Sequence, residues 1–170
     1  MTGITHIENF IKNPEQLFTL LVNNVDWDER MAARKTASYG SAYNYSQIQY
    51  PYREFLSELE VINKKLAPVI GFEPNNCLIN YYLDGKSQMG FHADQTDILE
   101  EDTGIAIISV GEPRTLKFRK TAAHEETMSY ILHPGSLIYM TQEVQHSWQH
   151  SIPKSDTQNG RISLTFRQIK

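Results

Sequence analysis

Cysteine, excess positive charge and long apolar runs are all scarce in this sequence, and each shortage narrows the reading. Of 170 residues one, Cys77, is a cysteine, so no internal disulfide can form. Its place in Cys77-Leu78-Ile79-Asn80-Tyr81-Tyr82-Leu83 reads as a small core residue. A reducing compartment is the default for such a chain. No window approaches the roughly 18 uncharged residues of a membrane span, and the start lacks the apolar stretch and basic flank of a secretory leader. The expectation is a cytoplasmic protein, or a nuclear one in a eukaryote, with no membrane partner. Lys and Arg number 16 against 20 Asp and Glu, a net charge of -4, which argues against holding nucleic acid by bulk electrostatics. Any such contact must be local. Arg30 with Arg34 and Lys35, and Arg114-Thr115-Leu116-Lys117-Phe118-Arg119-Lys120, could supply it; otherwise they are solvated surface charge. Repeats and low-complexity segments are absent as well.

What is present fits one domain over 1–170, with 40% apolar residues to build a core. Asn13-Pro14 followed by Glu15, Leu17, Phe18, Leu20 and Leu21 predicts a capped helix ending near Val22. Phe55, Leu59, Ile62, Leu66 and Val69 recur at three- and four-residue intervals and predict a second helix stopped by Gly71. Between them Tyr39, Tyr43, Tyr45 and Tyr50 crowd a stretch rich in Gly, Ser and Asn, expected to form loops and short strands rather than core. From Cys77 the pattern changes to short strands, at 77–83, 89–94, 104–110, 115–119, 127–132, 136–141, 145–150 and 161–169. Asp84-Gly85 signals a hairpin and His133-Pro134-Gly135 another reversal. The expected fold is α+β and mainly β: a jelly roll, or double-stranded β-helix, over 76–170, supported by helices and a lid in 1–75.

Strand geometry makes Arg161-Ile162-Ser163-Leu164-Thr165-Phe166-Arg167 informative, because alternate side chains face opposite ways. Ile162, Leu164 and Phe166 share one face; Arg161, Ser163, Thr165 and Arg167 share the other. Two inward guanidiniums are costly unless an anion meets them, and their forks suit carboxylates. The bland alternative is an exposed polar face. In His92-Ala93-Asp94 the two-residue spacing projects imidazole and carboxylate the same way. A second histidine from a distant strand would complete a two-histidine, one-carboxylate triad of the kind that binds Fe(II). His124 and His133 sit in expected loops, which leaves His146 and His150; spacing does not choose between them. Asn80 and Tyr82 share a strand face and offer an amide and a phenol to a carboxylate or keto acid.

In sequence and order, Asn80-x-Tyr82, His92-x-Asp94, Arg114-Thr115-Leu116-Lys117-Phe118-Arg119, His133-Pro134-Gly135-Ser136-Leu137, Trp148-Gln149-His150-Ser151-Ile152-Pro153 and Arg161-x-Ser163-Leu164-Thr165-Phe166-Arg167 resemble the AlkB family of Fe(II)/2-oxoglutarate-dependent dioxygenases. The match runs over about 34–169. The resemblance implies that His92, Asp94 and His150 ligate Fe(II), His150 being chosen for the Ser-apolar-Pro segment after it, with His146 a bystander. It further implies that Arg161 pairs with the far carboxylate of 2-oxoglutarate and that Asn80, Tyr82, Ser163 and Arg167 complete the pocket. Ser163 departs from the family's usual asparagine but can still donate one hydrogen bond. The implied reaction couples O2 and oxidative decarboxylation of 2-oxoglutarate to hydroxylation of a substrate C–H bond. On an N-methyl group the product collapses to formaldehyde and the free amine.

Many AlkB-like enzymes demethylate bases in DNA or RNA. Tyr39-Gly40 and Tyr43-Asn44-Tyr45-Ser46 resemble the family's substrate lid, where Tyr39, Tyr43 and Tyr45 could stack on an extruded base. Arg119 stands where the family often has a basic residue on the substrate side. Against this, Thr96 stands where nucleic-acid members often have an acid, Asp97 is one place further on, and Glu100-Glu101-Asp102 would repel phosphate near the mouth. The expected partner is alkylated nucleic acid held by local contacts, and the alternative is a protein or small molecule. A monomer is expected. A catalytically silent jelly-roll binding module is the third reading, and it has no reason to retain His92, Asp94, His150, Arg161 and Arg167 together.

Overall fold

The computed structural model describes residues 1–45 and 47–170; Ser46 and the side chain of Tyr45 lie outside the described residues. A six-stranded sheet has the order β1 (Ile4–Ile7), β10 (Leu137–Met140), β7 (Ile105–Gly111), β12 (Arg161–Arg167), β5 (Asn76–Tyr82), β2 (Lys35–Gly40). A four-stranded sheet has the order β6 (Met89–His92), β11 (Trp148–Ile152), β8 (Arg114–Lys120), β9 (Thr127–Leu132). All pairings are antiparallel. The two sheets close on one apolar cluster, in which Tyr82, Ile105, Ile138 and Met140 of the larger meet Leu116, Phe118, Leu132 and Ile152 of the smaller. This is the expected jelly roll. A separate hairpin joins β3 (Tyr43–Tyr45) to β4 (Ile48–Tyr50).

Helices α1 (Pro14–Asn24) and α2 (Ser57–Ile70) cover the outer face of the larger sheet. Leu17 and Leu21 of α1 and Leu59, Ile62 and Leu66 of α2 pack against Ile79, Ile108, Ile162, Leu164 and Phe166. Burying each large side chain contributes about 1.5–3 kcal/mol, which is what holds the helices down. Gly71 ends α2 in the left-handed conformation, φ 89°, where a side chain would be strained. Val69 is exposed and adds nothing to that face. Asn13 precedes α1 without a side-chain capping bond, so the predicted cap is supplied only by Pro14 and the acidic Glu15.

Several expectations require correction. Asp84-Gly85 is not a hairpin, because β5 and β6 belong to different sheets; the Gly85 backbone instead pairs with Ser155 and Thr157. His133-Pro134-Gly135 is a true reversal, closed by Ser136 N–H donating to the His133 carbonyl, with Gly135 at φ 88°. Stretch 145–150 is not one strand: the short helix α3 (Gln142–Ser147) precedes β11, and its own backbone hydrogen bonds outcompete the apparent period of two. Tyr39, Tyr43 and Tyr50 lie on short strands as expected but are buried in the core, since β2 pairs fully with β5 and the β3–β4 hairpin packs over Leu78. Strand β1 was not anticipated; it covers the edge of β10.

Candidate metal centre

Both faces of β12 are buried, and they are chemically opposite. Ile162, Leu164 and Phe166 enter the helix-covered core. Arg161, Ser163, Thr165 and Arg167 line a cavity of about 230 Å³ between the sheets, so the exposed-face alternative fails. Leu78, Asn80 and Tyr82, on the neighbouring β5, line the same cavity, because residues that alternate along one strand stay in step with those of its antiparallel partner. Met89, Ile107, Leu116, Leu132 and Ile152 supply apolar wall.

At one end His92 and His150 stand directly opposite each other on β6 and β11, ring centroids 4.4 Å apart. Asp94 lies just past the end of β6, and its Oδ1 is 3.3 Å from His92 Nε2 and 3.4 Å from His150 Nε2. One ligand atom from each of the three lies within 4.8 Å of the others, a separation that a single ion can bridge. His92 Nδ1 is 2.8 Å from the Gly90 carbonyl. Since a carbonyl only accepts, Nδ1 carries the proton and Nε2 presents its lone pair to the centre. Arg167 Nη2 donates to Asp94 Oδ2 at 2.8 Å, which leaves Oδ1 as the coordinating oxygen. Burial pushes the Asp94 carboxyl up, but the Arg167 charge and the adjacent His150 and His92 outweigh it and hold the group well below the ordinary carboxylate range. Asp94 is therefore an anion at neutral pH, as a metal ligand must be.

The other end belongs to Arg161. Its side chain is 1% exposed, with Nη2 donating to Ser109 Oγ at 2.9 Å, while Nε and Nη1 are buried without a protein partner. Burial lowers its pKa, the mark of a cation whose solvation has been removed. Tyr82 lies beneath it, its ring centroid 5.1 Å from the guanidinium carbon. Asn80 Oδ1 accepts from Arg34 Nε at 3.0 Å, which orients the amide. A buried cation with two undirected donors, beside an amide, a phenol and a serine, suits a small carboxylate reaching in from the metal end. Arg161 and Arg167 are six residues apart, roughly 20 Å along an extended strand, so they serve opposite ends and not one carboxylate.

The family profile of the 2OG-Fe(II) oxygenase superfamily matches residues 3–167. The chain belongs to that superfamily. Among curated relatives, this chain is 30% identical to rat alpha-ketoglutarate-dependent dioxygenase alkB homolog 3 over 179 residues, covering 94% of the chain and 61% of that protein. It is 32% identical to human DNA oxidative demethylase ALKBH2 over 147 residues, covering 80% of the chain and 56% of that protein. It therefore spans about three fifths of the length of such relatives. The solved structure of OsALKBH1 superposes with a TM-score of 0.70 at 14% identity, covering 99% of both chains, and shares the fold. The superfamily's cofactors are Fe(II), 2-oxoglutarate and O2, and the curated relatives carry the names of AlkB homologues.

The remaining sequence-predicted residues divide. Tyr43 lines the cavity, 5.0 Å from the Arg167 guanidinium, and burial pushes its phenol up. Tyr39 does not: it packs in the helix-side core, its hydroxyl accepting from Asp26 N–H and its ring under Arg53. A period of two from Tyr43 back across Gly40 could not foresee this, because the chain leaves β2 at Gly40 and re-enters a separate hairpin. The Tyr45 side chain lies outside the described residues. Arg119 is on the outward face of β8, its Nε bonded to Gln149 and its guanidinium 4.0 Å from the Phe91 ring centroid, and it does not line the cavity. His124 and His133 are exposed and do not line it. His146 lies on α3, not on the strand of His150. Arg34, expected either to contact nucleic acid or to be solvated surface charge, is buried against Asn80 and the Gln88 carbonyl. Ser109 and Gln145 were also missed. Of the missed lining residues Leu78 carried a sequence signal, the same period of two that marks Asn80 and Tyr82.

Proposed function

We propose that this chain is a Fe(II)/2-oxoglutarate-dependent dioxygenase that oxidatively demethylates alkylated nucleic-acid bases, acting as one domain over 1–170. The observation that carries the reading is His92, Asp94 and His150 within ligand distance of one ion, at one end of a cavity whose other end is a buried Arg161. On this reading the three side chains hold iron. Asn80, Tyr82, Arg161 and Ser163 hold 2-oxoglutarate, with Arg167 fixing the Asp94 carboxylate beside it. When bound, iron would supply the site at which O2 is reduced as 2-oxoglutarate loses CO2 to give succinate, with oxidation of the substrate C–H bond. Everything else is positioning. The Gly90 carbonyl keeps the His92 proton on Nδ1, Arg167 keeps one Asp94 oxygen turned away from the ion, and the apolar walls keep water from the reacting atoms. Tyr43 and Asn44, which line the cavity, would flank an extruded base on this reading.

The nucleic-acid substrate rests on the relatives, one of which bears the name DNA oxidative demethylase. A protein or small-molecule substrate is favoured by one observation, the engagement of both basic stretches. Arg30 pairs with Asp28, Lys35 with Glu29 and Lys120 with Glu126, while Arg114 is buried against the carbonyls of Ser87 and Pro153. Mass spectrometry of methylated single- and double-stranded oligonucleotides, with succinate measured in parallel, decides between them. Loss of 14 Da per methyl group with stoichiometric succinate is expected, on the order of one succinate per group removed. Succinate without base repair assigns the alternative, and neither product refutes the dioxygenase. A monomer in the cytoplasm or nucleus is part of the proposal. The buried Cys77 supports a reducing compartment, and no helix among the described residues is long and apolar enough to cross a membrane.

A further inference from the structure

Asp94 stands beyond the last residue of β6, so no strand ladder holds its backbone. Two consecutive side chains of α3 reach this segment instead. Gln145, 5% exposed, accepts from the Asp94 backbone N–H through Oε1 at 2.8 Å. The Gln145 Nε2 donates toward Met140 Sδ at 3.6 Å, which fixes which end of the amide faces Asp94. His146 Nε2, on the exposed side, is 3.3 Å from Thr96 Oγ1. The segment carrying the carboxylate is thus tied at its first and third residues to the helix that leads into the strand of His150.

We propose that Gln145 is a positioning residue of the metal centre: its side-chain oxygen, held by the Met140 sulfur and seconded by the His146 contact at Thr96, sets where Asp94 stands relative to His92 and His150. The inference rests on the metal-site reading above. Two arguments carry it. The Asp94 carboxylate oxygens are already committed to the metal centre, Oδ1 facing His92 and His150 and Oδ2 facing Arg167. The Asp94 N–H is the group that orients the carboxylate without competing with coordination, and Gln145 is its acceptor.

The test is Mn²⁺ binding to metal-free protein by calorimetry, for wild type, Gln145→Leu and Gln145→Glu. Leucine keeps the volume and removes the acceptor; glutamate keeps the acceptor. Loss of an outer partner of a metal ligand typically weakens metal binding about 10- to 100-fold, and that loss is expected for Gln145→Leu. Gln145→Glu is expected to recover most of it, and circular dichroism of Gln145→Leu is expected to match wild type. Unchanged Mn²⁺ affinity in Gln145→Leu overturns the proposal, as does an equal loss in both variants, which would assign Gln145 to packing alone. Wild type that fails to bind Mn²⁺ overturns the metal-site reading and this inference with it, so the two failures are distinguishable.

Discussion

The two faces of the larger sheet are both buried and oppositely built. Toward the helices, Cys77, Ile79, Ile162, Leu164 and Phe166 interlock with no polar side chain to satisfy, and their whole contribution is burial. Toward the cavity the same strands present Asn80, Arg161, Ser163 and Arg167, among which Arg161 retains two buried donors without a protein partner. A desolvated cation of this kind costs stability, so the inner face is arranged for what it binds and the outer face sustains the fold that holds it. Substitutions on the two faces should therefore fail in different ways.

The largest effect is expected at the metal end of the inner face. Asp94→Ala removes a ligand and leaves Arg167 beside two imidazoles, and it is expected to abolish conversion of 2-oxoglutarate to succinate; His92→Ala is expected to do the same. Succinate formation at the wild-type rate in either variant would dismantle the metal assignment. Next comes the outer face, where Phe166→Ala is expected to lower stability by about 3–5 kcal/mol in urea unfolding, the cost of an emptied aromatic site. Folded Phe166→Ala protein is expected to keep its 2-oxoglutarate KM, and a large rise in KM would show that the faces are not separable. Arg161→Ala is the reverse case: loss of a charge-assisted pair worth about 1.5–3 kcal/mol is expected to raise the 2-oxoglutarate KM roughly 10- to 150-fold. A KM that stays put excludes Arg161 as the anchor. The smallest effect is chemical. Burial pushes the Cys77 thiol far up, so native protein is expected to resist iodoacetamide that labels the urea-unfolded chain, as read by mass spectrometry. Rapid native labelling would mean the outer face opens to water.

Legibility followed period. Strand β12 could be assigned to its two faces residue by residue because seven consecutive side chains obey one alternation, and its burial on both sides was the only part left to the fold. Asn80 and Tyr82 were legible for the same reason. The third ligand was not: His146 and His150 are four residues apart, a spacing that a strand and a helix both bring to one side. The resemblance selected His150, and the chain's switch from α3 to β11 between them separates the two histidines in space. Asp94 was paired with His92 on the premise of a strand through 94, yet β6 ends at His92 and the carboxylate is brought back by Arg167 and Gln145 instead. Tyr39 misled because an aromatic near a flexible-looking segment carries no mark of which face its strand will bury.

By itself the sequence determined local quantities: the helix periods, the two-faced last strand, the family motifs and the residue types able to bind a transition ion and a dicarboxylate. Tertiary structure alone decided which arginine meets Asp94 and which is left with donors to spare, and that Arg119 and Tyr39 turn away from the cavity, while it set His150 directly opposite His92. The reason is range. Alternation and propensity act between neighbours in the chain, whereas strands β6, β11 and β12 meet only after the two sheets have closed, and what each side chain touches is settled by that closure.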